Sequence, residues 1–263
     1  MFCNQCEQTV KGIGCEKNGT CGKNSEVSGL QDLLVHATQG LALFAAEGRK
    51  RGIVDEAADL FTLEAIFSTL TNVDFDPARF QALIGRAVAF RESMKVKVAA
   101  AGGRTDFNEP AVSFQPAATV AGLAAQGAAL NFIPSLDPDP DIRSLKQTLL
   151  YGLKGIAAYA DHAWILGQKD DAIAGFVYDA LVALMAKGLS VSDCVGVALK
   201  AGEINLRTME LLDAGNTGTY GHPRPTQVPL GANKGEIGWS GTCQNDDCDP
   251  QLETVPAFGH SAT

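Results

Sequence analysis

The sequence has no surplus of positive charge. It carries 21 Lys and Arg against 30 Asp and Glu, a formal net charge of −9, which argues against a general nucleic-acid or anionic-membrane surface. No apolar run is long enough to cross a bilayer; the Ala-rich stretch from Val120 to Leu130 is too short and too weakly hydrophobic. No signal peptide is visible, because the first residues run straight into cysteines. A phosphate loop is also missing: Gly231-x3-Gly235 is followed by neither Lys-Ser/Thr nor a helix signal. No Ser/His/Asp constellation stands out. The four histidines are scattered. His36 and His162 fall on expected helices without a partner at ligand spacing, so both read as structural, and His222 sits before Pro223 in a turn. What remains, at 263 residues with 46% hydrophobic and 19% charged residues, is a soluble globular protein of one or two domains with a sizeable core.

Against this background the cysteines are concentrated. Four of the seven, Cys3, Cys6, Cys15 and Cys21, lie in the first 21 residues with the spacing Cys-x2-Cys-x8-Cys-x5-Cys. Four thiolates on so short a loop can enclose an iron–sulfur cluster or a structural zinc ion. Disulfides remain a third reading, although a Cys-x2-Cys redox pair would leave the other two thiols unexplained. The spacing matches neither the bacterial nor the plant-type ferredoxin pattern. Gly12, Gly14, Gly19 and Gly22 permit tight turns and close approach of N–H groups to sulfur, and Lys11, Lys17 and Lys23 bring positive charge to a centre that would be anionic. Cysteines clustered in this way fit a reducing cytoplasm better than a disulfide framework. Cys194 reads as a small core residue. Cys243 and Cys248 have no further ligand nearby except distant His260, and read as part of a solvated tail.

Beyond the cysteines the chain is written in helical periods. Leu30 to Gly48 repeats apolar residues at three- and four-residue steps, a second helix follows Asp55, and a third starts at Asp76-Pro77 and ends near Gly102-Gly103. Residues 104–117 read as a connecting loop and the Ala-rich stretch as one short helix. From Asp137 the pattern restarts. A shift of 115 residues carries Leu30 onto Leu145, Gly40 onto Gly155, Phe44 onto Tyr159, Gly52 onto Gly167, Asp55 onto Asp170 and Phe61 onto Phe176. A second helix to about Lys187 and a third, capped by Ser192 and running to about Leu212, complete the second copy. The expected fold is mostly α: two stacked three-helix bundles with an N-terminal cysteine loop. The expected division is a loop over 1–25, a helical domain over 26–214 (repeats of about 26–103 and 140–214) and a Gly/Pro-rich connector and tail over 215–263.

The N-terminal motifs carry a resemblance. Met1-Phe2-Cys3-x-Gln5-Cys6-Glu7-Gln8-Thr9, Gly14-Cys15, Gly19-x-Cys21-Gly22-Lys23, Leu30-Gln31-Asp32-Leu33-Leu34 and Gly218-Thr219-Tyr220-Gly221-His222-Pro223-x-Pro225-Thr226 resemble the hybrid cluster protein family, also called prismane or hydroxylamine reductase. The resemblance implies that Cys3, Cys6, Cys15 and Cys21 ligate a cubane, and that the shorter cysteine spacing holds a [4Fe-4S] cluster, as in strict anaerobes. It implies the same helical first domain, an unidentified electron-donor protein, and reduction of hydroxylamine or nitric oxide in full-length members. There the segment after Gly215 opens the first of two α/β domains, with a Ser-Gly-His-Asp-Leu run whose histidine ligates a hybrid iron–sulfur–oxygen cluster. This chain reads Ser240-Gly241-Thr242-Cys243 instead. The expectation is therefore an electron-carrying cubane and no catalytic residues, with the hybrid cluster confined to full-length members. Two alternatives stay open: a stand-alone electron-transfer module, and a purely structural, metal-stapled helical protein.

Overall fold

The structure, a computed structural model, describes residues 1–225 and 227. Among these residues it is helical, with no named strand. The elements are α1 (Ser25–Arg49), α2 (Glu56–Ser68), α3 (Pro77–Ala100), three short helices α4 (Pro110–Ser113), α5 (Val120–Leu130) and α6 (Phe132–Ser135), then α7 (Pro140–Ile165), α8 (Asp171–Met185) and α9 (Val191–Tyr220). The mostly α expectation is met.

The recurrence seen in the sequence is a recurrence of helix punctuation. Asn24 and Asp139 cap α1 and α7, their side chains accepting from backbone N–H groups of the first turn. Asp55 and Asp170 do the same for α2 and α8. Gly52 and Gly167 take φ of 73° and 77° in the turns before those caps, a conformation that a Cβ disfavours. The capping aspartates are each tied to the third helix of their own unit, Asp55 by Lys97 at 2.5 Å and Asp170 by Arg207.

The two units interlock. α2 packs chiefly on α7, and α8 chiefly on α1, while each makes the smaller contact inside its own unit. Polar links fasten the crossing. Arg49 at the end of α1 pairs with Asp59 of α2 at 2.5 Å, donates to the carbonyl of Asp171 at 3.2 Å and lies over the Tyr178 ring of α8. Thr62 of α2 donates to the Tyr178 hydroxyl at 3.3 Å. α1 is consequently enclosed on nearly every side; Leu30, Leu34, Ala37, Leu41 and Phe44 are wholly buried. A helix apolar around most of its circumference belongs inside the core.

Several boundaries differ from the sequence reading. α1 begins at Ser25 rather than Leu30, because Asn24 supplies a cap ahead of the first apolar residue. α9 is capped by Ser190 with Asp193 in a reciprocal capping box, not by Ser192. It also runs past Leu212 to Tyr220. Gly215, the start of the expected connector, lies inside this helix and allows close packing: a Cβ there would stand 3.0 Å from the Leu166 side chain. The helix stops where Gly221 takes φ +82°. Residues 104–117 contain the short helix α4, and α6 has no counterpart in the sequence reading. Phe61 is wholly buried and stacked on Phe90 at 4.9 Å, whereas Phe176 is only half-buried. The expected start of an α/β domain, with Thr242, Cys243, Cys248 and His260, lies outside the described residues.

Candidate metal centre

The cysteine loop is a short irregular segment pinned to the helical body. Its two ends are drawn together by an antiparallel pair: Cys3 N–H donates to the Cys15 carbonyl at 3.1 Å and Cys15 N–H to the Cys3 carbonyl at 2.8 Å. Between them the chain turns through Thr9, whose hydroxyl and N–H both donate to the Cys6 carbonyl, at 2.7 and 3.2 Å. Two glycines mark close approaches. A Cβ on Gly14 would enter the Phe2 ring at 2.3 Å, and one on Gly19 would stand 2.9 Å from Cys21 Sγ.

All four loop cysteines are free thiols. Cys15 is buried and the other three are half-buried. Backbone N–H groups at Val10 and Thr20 hold the Cys15 thiol below its ordinary pKa, burial opposes them, and the Thr20 hydroxyl and Lys23 add to the lowering. The thiols share one loop without being drawn into a cage: among the described residues no three or more His, Cys, Asp or Glu side chains converge as a ready-made metal site. Of the three lysines expected near the centre, Lys11 and Lys17 are exposed and only Lys23 is buried.

Behind the loop lies a polar floor of which the sequence reading named only Lys23. Asn4 Oδ1 accepts from Gln147 Nε2 and from the Tyr151 hydroxyl, both at 2.6 Å, anchoring the loop to α7. Lys23 Nζ donates to Gln31 Oε1 at 2.8 Å and Lys154 Nζ to the Thr69 carbonyl at 2.9 Å. Each lysine is 2% exposed and each has a neutral hydrogen-bond partner. Asp32 is the one carboxylate whose charge acts on Lys154, and it acts back on that lysine. Two buried ammonium groups against one carboxylate leave positive charge facing the loop, and a buried unpaired charge costs several kcal/mol. A group with net negative charge held by four thiolates offsets it, so the donor set and its surroundings fit an anionic thiolate-bound cluster. A signal for the floor was present in the sequence: Gln147, Tyr151 and Lys154 follow one another at helical spacing on one face of α7.

The remaining candidates lie away from the loop. Cys194 is buried, with its thiol pushed up by burial. The His36 ring meets Phe114 edge-on at 5.5 Å, and burial holds its pKa below the ordinary value. His162 is exposed, its ring against Phe67 at 5.4 Å. No helix of the described residues is long and apolar enough to cross a membrane.

Comparison with known proteins places this arrangement. The family model described as the Prismane/CO dehydrogenase family matches residues 1–241. A hydroxylamine reductase of Syntrophobacter fumaroxidans is 60% identical over 90% of this chain and 44% of its own length. Hydroxylamine reductases of Methanocella arvoryzae and Maridesulfovibrio salexigens are 52% and 50% identical, over 90% of this chain and 44% and 43% of their own. The chain thus spans less than half the length of these relatives. With its motifs, helical body and cysteine loop matched along one continuous stretch, the chain belongs to the Prismane/CO dehydrogenase family.

Proposed function

We propose that this chain is an electron-relay unit of a hydroxylamine-reductase-type system, with Cys3, Cys6, Cys15 and Cys21 holding a [4Fe-4S] cluster. The observation that carries the reading is the pairing of four free thiols on one loop with two buried lysines beneath it. Such a cluster, when bound, stores and passes single electrons. The chain's own residues do the rest. The Cys3–Cys15 backbone pair and the Asn4 anchor hold the loop against α7, the Val10 and Thr20 N–H groups favour the Cys15 thiolate, and Lys23 and Lys154 oppose the negative charge. An electron-donor protein supplies the electron, in the cytoplasm. The relatives' name supplies the class of final acceptor, hydroxylamine or a related small nitrogen compound, and the hybrid cluster of full-length members is where such a compound would react. In this reading residues 1–24 form the cluster loop and the helices from Ser25 to Tyr220 its support.

The test is anaerobic purification followed by iron, sulfide and EPR analysis. The expected result is a brown protein with about four irons and four sulfides per chain. Stoichiometric zinc without sulfide would overturn it.

A further inference from the structure

The Leu30-Gln31-Asp32-Leu33-Leu34 segment is only partly accounted for by the core. Leu30, Leu33 and Leu34 are buried apolar residues and Gln31 holds Lys23. Asp32 sits between two spaces. On one side is a cavity of about 370 Å³ between α1, α5 and α6, with Ser25 and Glu26 at its exposed rim and Asp32 in its wall. On the other is a crevice of about 10 Å³ lined by Cys3, Lys23, Asp32, Tyr151 and Lys154, a volume on the order of a single water. Asp32 is therefore the one carboxylate common to the outer cavity and the space behind the cysteine loop.

The charged and titratable groups around it are few. α7 contributes Lys154 and Tyr151, and the N-terminal segment contributes Lys23, the Met1 amine and, across the crevice, Cys3. Glu26, six residues before Asp32 on α1, lies at the rim, while α5 and α6 bring none. Burial pushes the Asp32 carboxyl up to about 6, with Lys154, Lys23 and the terminal amine opposing. Burial likewise holds the Lys154 ammonium below its ordinary value, with Asp32 opposing.

We propose that Asp32 is a redox-linked proton acceptor: it takes a proton from water through the α1–α5–α6 cavity when the group on the cysteine loop is reduced. The proposal rests on the electron-relay reading above. One electron passes from a one-electron reductant to the cluster, and one proton passes from bulk water to the Asp32 carboxylate, forming its O–H bond; no other bond changes. The physical cause is electrostatic. An added negative charge behind Cys3 strengthens proton binding at a nearby half-buried carboxylate. Burial lowers the Lys154 ammonium to about 8, so below that pH it already holds its proton and Asp32 is the group with capacity to respond. Linkage then requires the reduced state to be stabilised by acid, so the reduction potential falls as pH rises above the oxidised-state pKa of Asp32.

The experiment is a redox titration of the cluster-loaded full chain between about pH 5 and pH 8, where Asp32 titrates ahead of Lys154. The wild type is expected to lose potential with a slope approaching ~59 mV per pH unit, one proton per electron. Asp32→Asn should flatten the slope, Asp32→Glu should restore it, and the rim variant Glu26→Gln should keep it. Independently of any variant, reducing the wild type in weakly buffered solution with an indicator dye should consume about one proton per electron. A flat wild-type slope, absence of proton uptake, or an undiminished slope in a loaded Asp32→Asn protein overturns the proposal. A chain that binds no iron and sulfide defeats the relay reading and this one together. A loaded chain with a pH-independent potential defeats only the proton acceptor.

Discussion

The two helical units carry the same punctuation and live in different surroundings. Phe44 of α1 is wholly buried, with Phe107 from the inter-unit segment set edge-on against it at 5.3 Å, whereas its counterpart Tyr159 on α7 is 42% exposed. Gly40 lies tight under α4, where a Cβ would stand 2.4 Å from the Ala111 carbonyl oxygen; a Cβ on its counterpart Gly155 would meet nothing within 4 Å. The first unit is wrapped by α4 and α5. The second is barer, with Val195, Leu199, Leu206 and Met209 of α9 exposed. Helix starts and turns are decided within a few residues, so they repeat with the sequence. Burial is decided by what packs from outside, so it does not.

The contrast is sharpest at the cysteines. Cys15→Ser in the N-terminal loop is expected to abolish iron and sulfide uptake, while Cys194→Ser in the second unit leaves it unchanged; metal and sulfide assays on both variants read the difference, and a Cys15→Ser protein with full cluster content would show that other ligands hold it. Next comes the paired core test. Phe61→Ala should cost on the order of 3–5 kcal/mol in a denaturant titration, and half-buried Phe176→Ala about 1–2 kcal/mol. Equal losses would mean that the units are equally packed. The glycine pair should differ in sign: Gly40→Ala destabilises by about 1–3 kcal/mol through its clash with α4, while Gly155→Ala, in open space inside a helix, stabilises by roughly 0.5–1 kcal/mol. The smallest effects should be alike. Asp55→Ala and Asp170→Ala each remove a cap and should each lower stability by about 1 kcal/mol; a clear inequality would show that the two caps no longer do the same job.

Much of this architecture was legible in the sequence where the signal is local. Asp55, Asp76 and Asp170 each precede a helix and cap it, and Gly52 and Gly167 sit in positive-φ turns. The clustering of four thiols was legible, and the structure keeps all four free on one loop. The crossing of α2 onto α7 and α8 onto α1 was not legible, because an apolar stripe states that a helix is buried and not which partner buries it. The same limit hid Lys154, whose neutral partner at Thr69 lies in a distant turn. It also hid the length of α9: Gly215, read as a break, is a contact glycine against Leu166.

The Asn4 anchor sets an order of events during synthesis. Its partners Gln147 and Tyr151 stand 143 and 147 residues downstream, and α1 awaits α8 to complete its own enclosure. As the chain emerges from the ribosome, the four thiols come out first and their supporting floor comes out more than half a chain later. Until α7 has been made and docked, the loop has its four thiols but neither the Asn4 tether nor the Lys154 counter-charge. If the loop takes up a cluster as proposed, stable loading is a late step, and the nascent N-terminus passes through an interval of exposed, unsupported thiols in which oxygen or a competing metal has its best opportunity.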